Sequence, residues 1–174
     1  MEDPVYMPAE DSELLAAAVQ EHAFGKTLDL GTGSGLQGIV AAKKGCQVTF
    51  ADAADAALQC AWSNALRNGV NGEFVRSDMF GSIRGKFNTI IFNPPYVPVD
   101  RGEKHDIAVD GGAGGRVLID RFLAQYKNYV LFDHAVLLVE SSLNDYEREL
   151  RAGSAEVVGK MHRFFEDIVV LKLK

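Results

Sequence analysis

Short apolar runs alternate with amphipathic stretches along this chain. Residues 27–30, 47–51, 73–77, 87–92 and 135–139 read as short strands; 87–92 and 135–139 are apolar as buried strands are, and the first four are followed directly by Gly, Asp or Asn. Between them the periodicity changes to that of helices. Leu14, Leu15, Ala18 and Val19 mark a first helix that Asp11 or Ser12 can cap, without the Glu or Gln that would complete a capping box. Ile39, Val40 and Ala42 give the second helix its apolar face. Leu58, Trp62, Ala65 and Leu66 do so for the third, with Asp55 as its expected N-cap, Trp62 in the core and Asn68-Gly69 as the stop. A polar loop over 97–115 precedes a fourth helix containing Val117, Leu118, Phe122 and Leu123, and a short helix is expected over 143–151. Two final β segments, near 155–161 and 167–173, have little between them and predict an antiparallel hairpin at one edge. Helices separating apolar strands imply a mostly parallel α/β sheet covered on both faces. Ligands of such sheets sit at the carboxyl ends of the strands.

At 174 residues the chain is expected to form one domain, 1–174, large enough for a sizeable core. Its hydrophobic fraction of 47% and charged fraction of 24% are ordinary globular values. The acidic opening Met1-Glu2-Asp3-Pro4 lacks the apolar segment of a signal peptide, and no apolar run approaches a membrane span. Cys46 and Cys60 show no Cys-x-x-Cys spacing, so neither zinc nor a disulfide framework is suggested, Cys60 reads as packing, and a reducing cytoplasmic compartment is expected. His22, His105, His134 and His162 are scattered and form no metal constellation. A net charge of −6 disfavours a nucleic acid as substrate, since a protein that neutralises many phosphates usually has a basic balance.

The first candidate chemistry lies after the first strand, where Asp29-Leu30-Gly31-Thr32-Gly33-Ser34-Gly35-Leu36-Gln37-Gly38 turns into a helix. Glycines allow a tight turn and close approach of a cofactor. Gly33 to Gly38 also fits the dinucleotide pattern G-x-G-x-x-G. Asp29 counts against a dinucleotide: it would repel a pyrophosphate, yet it suits the cationic amino group of S-adenosylmethionine (SAM). Asp52 closes the second strand, about twenty residues past the glycines, where a carboxylate can accept the ribose hydroxyls. Asp78 follows the third strand, placed for the adenine amine.

The second lies after the fourth strand, at Asn93-Pro94-Pro95-Tyr96. The nitrogen of an amide or aromatic amine is a poor nucleophile because its lone pair is delocalised. The side-chain carbonyl of Asn93 and the backbone carbonyl of Pro94 can accept its two N–H bonds and draw it toward a tetrahedral lone pair. The prolines fix φ, so these carbonyls are aimed in advance, and Tyr96 offers a ring face to a flat group. Read alone, the four residues also suit an ordinary turn closing a strand.

With Asp-x-Gly-x-Gly-x-Gly, Asp52, Asp78 and Asn-Pro-Pro-Tyr in register, the chain resembles class I SAM-dependent methyltransferases with an NPPY motif. It is most similar to the HemK family of release-factor glutamine methyltransferases. The opening Val5-Tyr6-Met7-Pro8-Ala9-Glu10-Asp11-Ser12, and Asp110-Gly111-Gly112-Ala113-Gly114-Gly115-Arg116 with Ile119-Asp120-Arg121-Phe122, resemble segments of its eukaryotic and archaeal branch. The resemblance implies a Rossmann-like fold with a seven-stranded sheet. It also implies methylation of the glutamine in the Gly-Gly-Gln motif of a class I translation termination factor, leaving S-adenosylhomocysteine. A small zinc-binding activator is the implied heterodimer partner, and the third strand, at a sheet edge, is its expected docking site. Carried over, Ser12, Asp29, Gly31, Gly33, Asp52, Asp78, Met79 and Asn93 are the cofactor contacts, Ser12 standing where the family has Thr. Asn93, Pro94, Pro95 and Tyr96 are the catalytic residues. Two other readings remain at this point: an adenine N6-methyltransferase of nucleic acid, which the same Asn-Pro-Pro-Tyr would serve, and a SAM-binding module without catalysis.

Overall fold

The structure, a computed structural model, describes residues 9–96, 115–163 and 165–174. The residues before Ala9, and most of the polar loop with His105 and the glycines at 111–114, lie outside those described. In chain order the elements are α1 (Glu10–His22), β1 (Lys26–Leu30), α2 (Leu36–Lys43), β2 (Gln47–Asp52), α3 (Asp55–Arg67), β3 (Glu73–Arg76), β4 (Phe87–Phe92), α4 (Val117–Leu123), β5 (Val130–Ser141), α5 (Glu147–Arg151), β6 (Ala155–Arg163) and β7 (Glu166–Leu173). They build one seven-stranded sheet in the order β3-β2-β1-β4-β5-β7-β6. The first five strands in that order pair in parallel, whereas β7 runs antiparallel to both β5 and β6. The C-terminal hairpin therefore forms one edge and β3 the other, as the sequence predicts.

Successive strand residues bury on opposite faces. Leu28, Leu30, Ile90, Phe92, Val136 and Leu138 join the core on one side with Ile119 and Phe122 of α4. Phe50, Ile91, Leu137 and Val139 face the other, under Leu15, Val19, Ile39, Ala61 and Ala65 from α1, α2 and α3. Phe122 centres an aromatic cluster, with ring centroids 4.9 Å from Phe92, 5.5 Å from Tyr126 and 5.8 Å from Phe80.

Four expectations are corrected. Trp62 is not core: it is 57% exposed and Leu66 64% exposed, while α3 buries Ala57, Ala61 and Ala65. A helix seated closely on a strand packs through its smallest side chains, and the large ones point away. Helix α1 starts from Ala9 and α3 from Ala54, neither with a side-chain cap, so Asp11, Ser12 and Asp55 lie inside their first turns. The expected helix over 143–151 divides into a 3₁₀ turn at Ser142–Asn144 and α5. Cys60 is half-buried rather than part of the core.

These placements separate two aromatic substitutions. Phe122→Ala should cost about 3–5 kcal/mol of unfolding free energy through lost burial and the cavity left behind. Trp62→Ala should stay within about 0.5 kcal/mol, as surface changes do. Urea unfolding of the two variants checks this, and a large loss at Trp62 would contradict its place on the surface.

Candidate functional site

The carboxyl ends of β1 and β4 and the start of α1 enclose a cavity of about 70 Å³, lined by Ser12, Asp29, Gly31, Thr32, Gly33, Ser34, Leu36, Gln37 and Asn93. The structure thus brings together five of the sequence-predicted residues: Ser12, Asp29, Gly31, Gly33 and Asn93. A larger hollow of about 620 Å³ lies among Lys26, Gln47, Glu73 and Phe87, at the amino ends of β1 to β4, and holds no predicted site residue.

Asp29 lies inside β1 rather than in the turn after it, and is 2% exposed. Its Oδ2 accepts from Thr32 Oγ1 at 2.6 Å and from the Gly38 backbone N–H at 2.9 Å. One carboxylate oxygen therefore ties the strand, the turn and the first turn of α2 together. Burial, helped by the charge of Asp52, outweighs the lowering effect of the Thr32 and Gly38 hydrogen bonds and pushes Asp29 up from 3.8 to about 7.

The glycines of the turn divide their labour. A Cβ on Gly38 would stand 2.2 Å from the Phe50 ring, one on Gly35 3.0 Å from Ala61 and one on Gly31 3.4 Å from Phe92. Gly35 and Gly38 therefore serve packing, whereas Gly31 has ordinary contact distance and is required by its φ of +63. Gly33, at φ +52, faces open space, and its N–H donates to Asp52 Oδ2 at 3.0 Å. Asp52 Oδ1 accepts from the Ala54 N–H at 3.0 Å. Carboxylate oxygens have about four acceptor positions, so Asp52 retains two for hydroxyl groups.

Asp78 stands two residues past β3, with a side chain 71% exposed, and makes a forked ion pair with Arg121 Nη2 at 3.0 and 3.1 Å. Met79 is buried beside it at φ +48. Neither lines the small cavity.

At the end of β4, Asn93 Nδ2 donates to Asp11 Oδ2 at 2.9 Å, and Asn93 Oδ1 is buried without a partner. Gln37 repeats the arrangement: Nε2 donates to the Ser12 carbonyl at 2.9 Å and Oε1 is left buried and unpartnered. Orphaned buried acceptors are costly and uncommon. Pro94 is buried, and Pro95 and Tyr96 are half-buried. The Tyr96 carbonyl accepts from Asn144 Nδ2 at 2.8 Å, and a Cβ on Gly115 would stand 2.1 Å from that same carbonyl.

A buried ionic clasp supports this end of the sheet. Arg116 Nη1 donates to Glu140 Oε2 at 3.0 Å and to the Asn144 carbonyl, and its Nη2 donates to Glu149 Oε1 at 2.7 Å. Burial and the neighbouring Glu149 charge push Glu140 up to about 8, against the pull of Arg116.

Sequence reasoning missed Asp11 and Gln37 as site residues. Gln37 sits at an unspecified position of the glycine pattern and Asp11 reads as a cap, so neither carries a signal of its own. Among the described residues no group of His, Cys, Asp and Glu is arranged to hold a metal ion, and no helix is long and apolar enough to cross a membrane.

A cavity lined by a carboxylate and two unsatisfied carbonyl oxygens suits a cationic ligand with donor groups. The ammonium and sulfonium of SAM are cationic groups of that kind.

Comparison with known proteins agrees in kind. The "Methyltransferase small domain" profile matches residues 9–164. The chain is 36% identical to an inferred protein N5-glutamine methyltransferase of Methanocaldococcus jannaschii, over 96% of this chain and 90% of that one. Among solved structures it resembles the E. cuniculi Mtq2-Trm112 complex that methylates the termination factor eRF1, at TM-score 0.73 and 24% identity, covering 97% of each chain. It also resembles the T. thermophilus 16S rRNA N2 G1207 methyltransferase bound to AdoMet and guanosine, at TM-score 0.68 and 19% identity, covering 97% of this chain and 44% of that one. These neighbours share the Rossmann-like class I methyltransferase fold with its antiparallel C-terminal strands.

The raised pKa of Asp29 has a consequence for stability. The native state holds a proton that the unfolded chain gives up between pH 3.8 and about 7. The contribution of Asp29 is therefore fully present below about pH 4 and is lost as pH rises through about 7, a penalty of at most about 4 kcal/mol. Urea midpoints measured from pH 5 to 8 should fall more steeply for the native chain than for Asp29→Asn. Parallel curves would show that Asp29 does not titrate in this range.

Proposed function

The chain belongs to the methyltransferase small-domain family, and within it we propose that it transfers a methyl group from SAM to the side-chain amide nitrogen of a glutamine, the one in the Gly-Gly-Gln motif of a class I translation termination factor. The observation that carries this reading is Asn93 Oδ1, a buried carbonyl oxygen without a partner at the carboxyl end of β4. Such an acceptor has a use when a planar N–H donor arrives. The 36% identity to an inferred glutamine methyltransferase over nearly the whole chain supports the same substrate class.

SAM, when bound, supplies a methyl group made electrophilic by its sulfonium sulfur. Asp29 and Gln37 Oε1 would hold its ammonium group, Ser12 would adjoin the methionine end, and Gly31 and Gly33 would give it backbone access. Asp52 would accept the ribose hydroxyls, with Asp78 and Met79 at the adenine. Asn93 Oδ1 and the Pro94 carbonyl accept the two N–H bonds of the substrate amide. This holds the nitrogen with its lone pair out of conjugation and aimed at the methyl carbon. Pro95 keeps the backbone rigid, and Tyr96 flanks the flat amide. With SAM bound, its sulfur–methyl bond would be exchanged for a nitrogen–methyl bond, sulfur keeping the electron pair and the surplus N–H proton leaving to water.

We infer further that a small zinc-binding activator covers β3. Among the described residues this strand pairs with β2 alone, which leaves an open edge for strand addition. Trp62 and Leu66, one helical turn apart on α3, add exposed apolar surface on the helix packed against that edge. An isolated Trp on a monomer surface needs no explanation, but one beside an unpaired strand suits an interface core.

Labelled methyl should pass from SAM to the release factor, and not when its motif glutamine is replaced. Asn93→Ala should bind S-adenosylhomocysteine normally yet lose about 100- to 1,000-fold in turnover, the usual loss for one aimed polar group. Methylation of adenine in nucleic acid, with none of the release factor, would instead establish the nucleic-acid reading.

For the partner, coexpression with the activator should yield a 1:1 complex by light scattering. Trp62→Ser with Leu66→Ser should weaken it at least about tenfold while leaving the unfolding midpoint of the isolated chain in place. Undiminished affinity would place the interface elsewhere.

A further inference from the structure

Asp11 is a buried carboxylate in the first turn of α1, 1% exposed, and the mechanism above gives it no part. An acid in the first turn favours a helix through its dipole, but Glu10 and Glu13 supply that charge from the same turn. Burying a third carboxylate costs free energy and calls for a specific partner. One such partner is the side-chain amide of Asn93, which donates to Asp11 Oδ2 at 2.9 Å across 82 residues of chain.

That contact is selective. An ionised carboxylate only accepts hydrogen bonds, whereas a primary amide has one donating and one accepting end. Turned over, the Asn93 amide would set its own oxygen against an oxygen of Asp11. Its nitrogen is therefore held toward α1, and its Oδ1, buried and unpartnered, faces away from Asp11.

We propose that Asp11 is a positioning residue, which locks the Asn93 amide in the one orientation that presents a carbonyl oxygen to the nitrogen being methylated. The inference rests on reading Asn93 as the acceptor of a substrate N–H. With the amide reversed, an NH₂ group would meet the NH₂ of the substrate, donor against donor, and the nitrogen would not be held.

Asp11→Asn tests the inference with little change of shape, because its amide can donate or accept and so permits both orientations of Asn93. Single-turnover transfer to the release factor should fall about 10- to 100-fold, while the KM for that factor and the Kd for S-adenosylhomocysteine move less than about threefold. In the Asn93→Ala background, Asp11→Asn should cost nothing more, because the two residues act through one contact. Full additivity, or a rate loss matched by lost cofactor binding, would overturn the proposal.

A second readout needs no methyl acceptor. In nitrogen-15 spectra the Asn93 side-chain amide, identified by its disappearance in Asn93→Ala, should exchange slowly with water in the native chain and quickly in Asp11→Asn. An unaltered signal would overturn the inference even if glutamine methylation stands. A native chain that methylates no release factor would sink the glutamine reading and leave this measurement readable. If Asp11→Asn does not fold, Asp11→Ser, whose hydroxyl also donates or accepts, carries the same expectations.

Discussion

The upper end of the sheet depends on one buried oxygen. Asp29 Oδ2 accepts from a hydroxyl in the turn and from a backbone N–H in the first turn of α2, so it closes the loop between strand and helix. A turn so closed directs the Gly33 N–H at Asp52 and fixes one wall of the cavity. The group costs desolvation, which its raised pKa reports. The two hydrogen bonds offset part of that cost, and a cationic ligand would offset more. Under the proposed function, structural tie and ligand counter-charge would be the same atom group.

The opposite wall is held from both sides of the sheet. On one side α1 brings Asp11 to Asn93; on the other, Arg116 gathers Glu140, Glu149 and the Asn144 carbonyl, and Asn144 in turn holds the Tyr96 carbonyl. Breaking a buried pair by removing one partner is strongly destabilising, because it leaves an uncompensated charge. The Asn-Pro-Pro-Tyr backbone is therefore set by groups outside its own four residues. Preorganisation of this kind is what an aimed carbonyl needs, since it must be in place before charge shifts in the substrate.

The mostly parallel sheet and the hairpin were legible because helical patterns separate the early strands, and because too few residues separate the last two for a crossover helix. The motifs at the strand ends were legible because each carries its chemistry within a few consecutive residues. What escaped was whatever depends on contacts distant in sequence. Trp62 was misplaced because helical periodicity identifies an apolar face without saying which residues on it are small enough to meet a strand; Ala57, Ala61 and Ala65 are. Asp11 read as a cap because its partner lies 82 residues away. The glycine pattern also did not show that Gly35 and Gly38 make room for Ala61 and Phe50. Only side-chain placement shows that demand.

The meeting of Gly115 with the Tyr96 carbonyl bears on how such a protein can change over time. Tyr96 and Gly115, the described residues on either side of 97–114, meet directly, and Asn144 holds the Tyr96 carbonyl. A side chain at 115 would have to displace that carbonyl, and the positive φ there already disfavours one. Position 115 is therefore closed to other residues by a motif nineteen positions away, so the two segments are bound to change together or not at all.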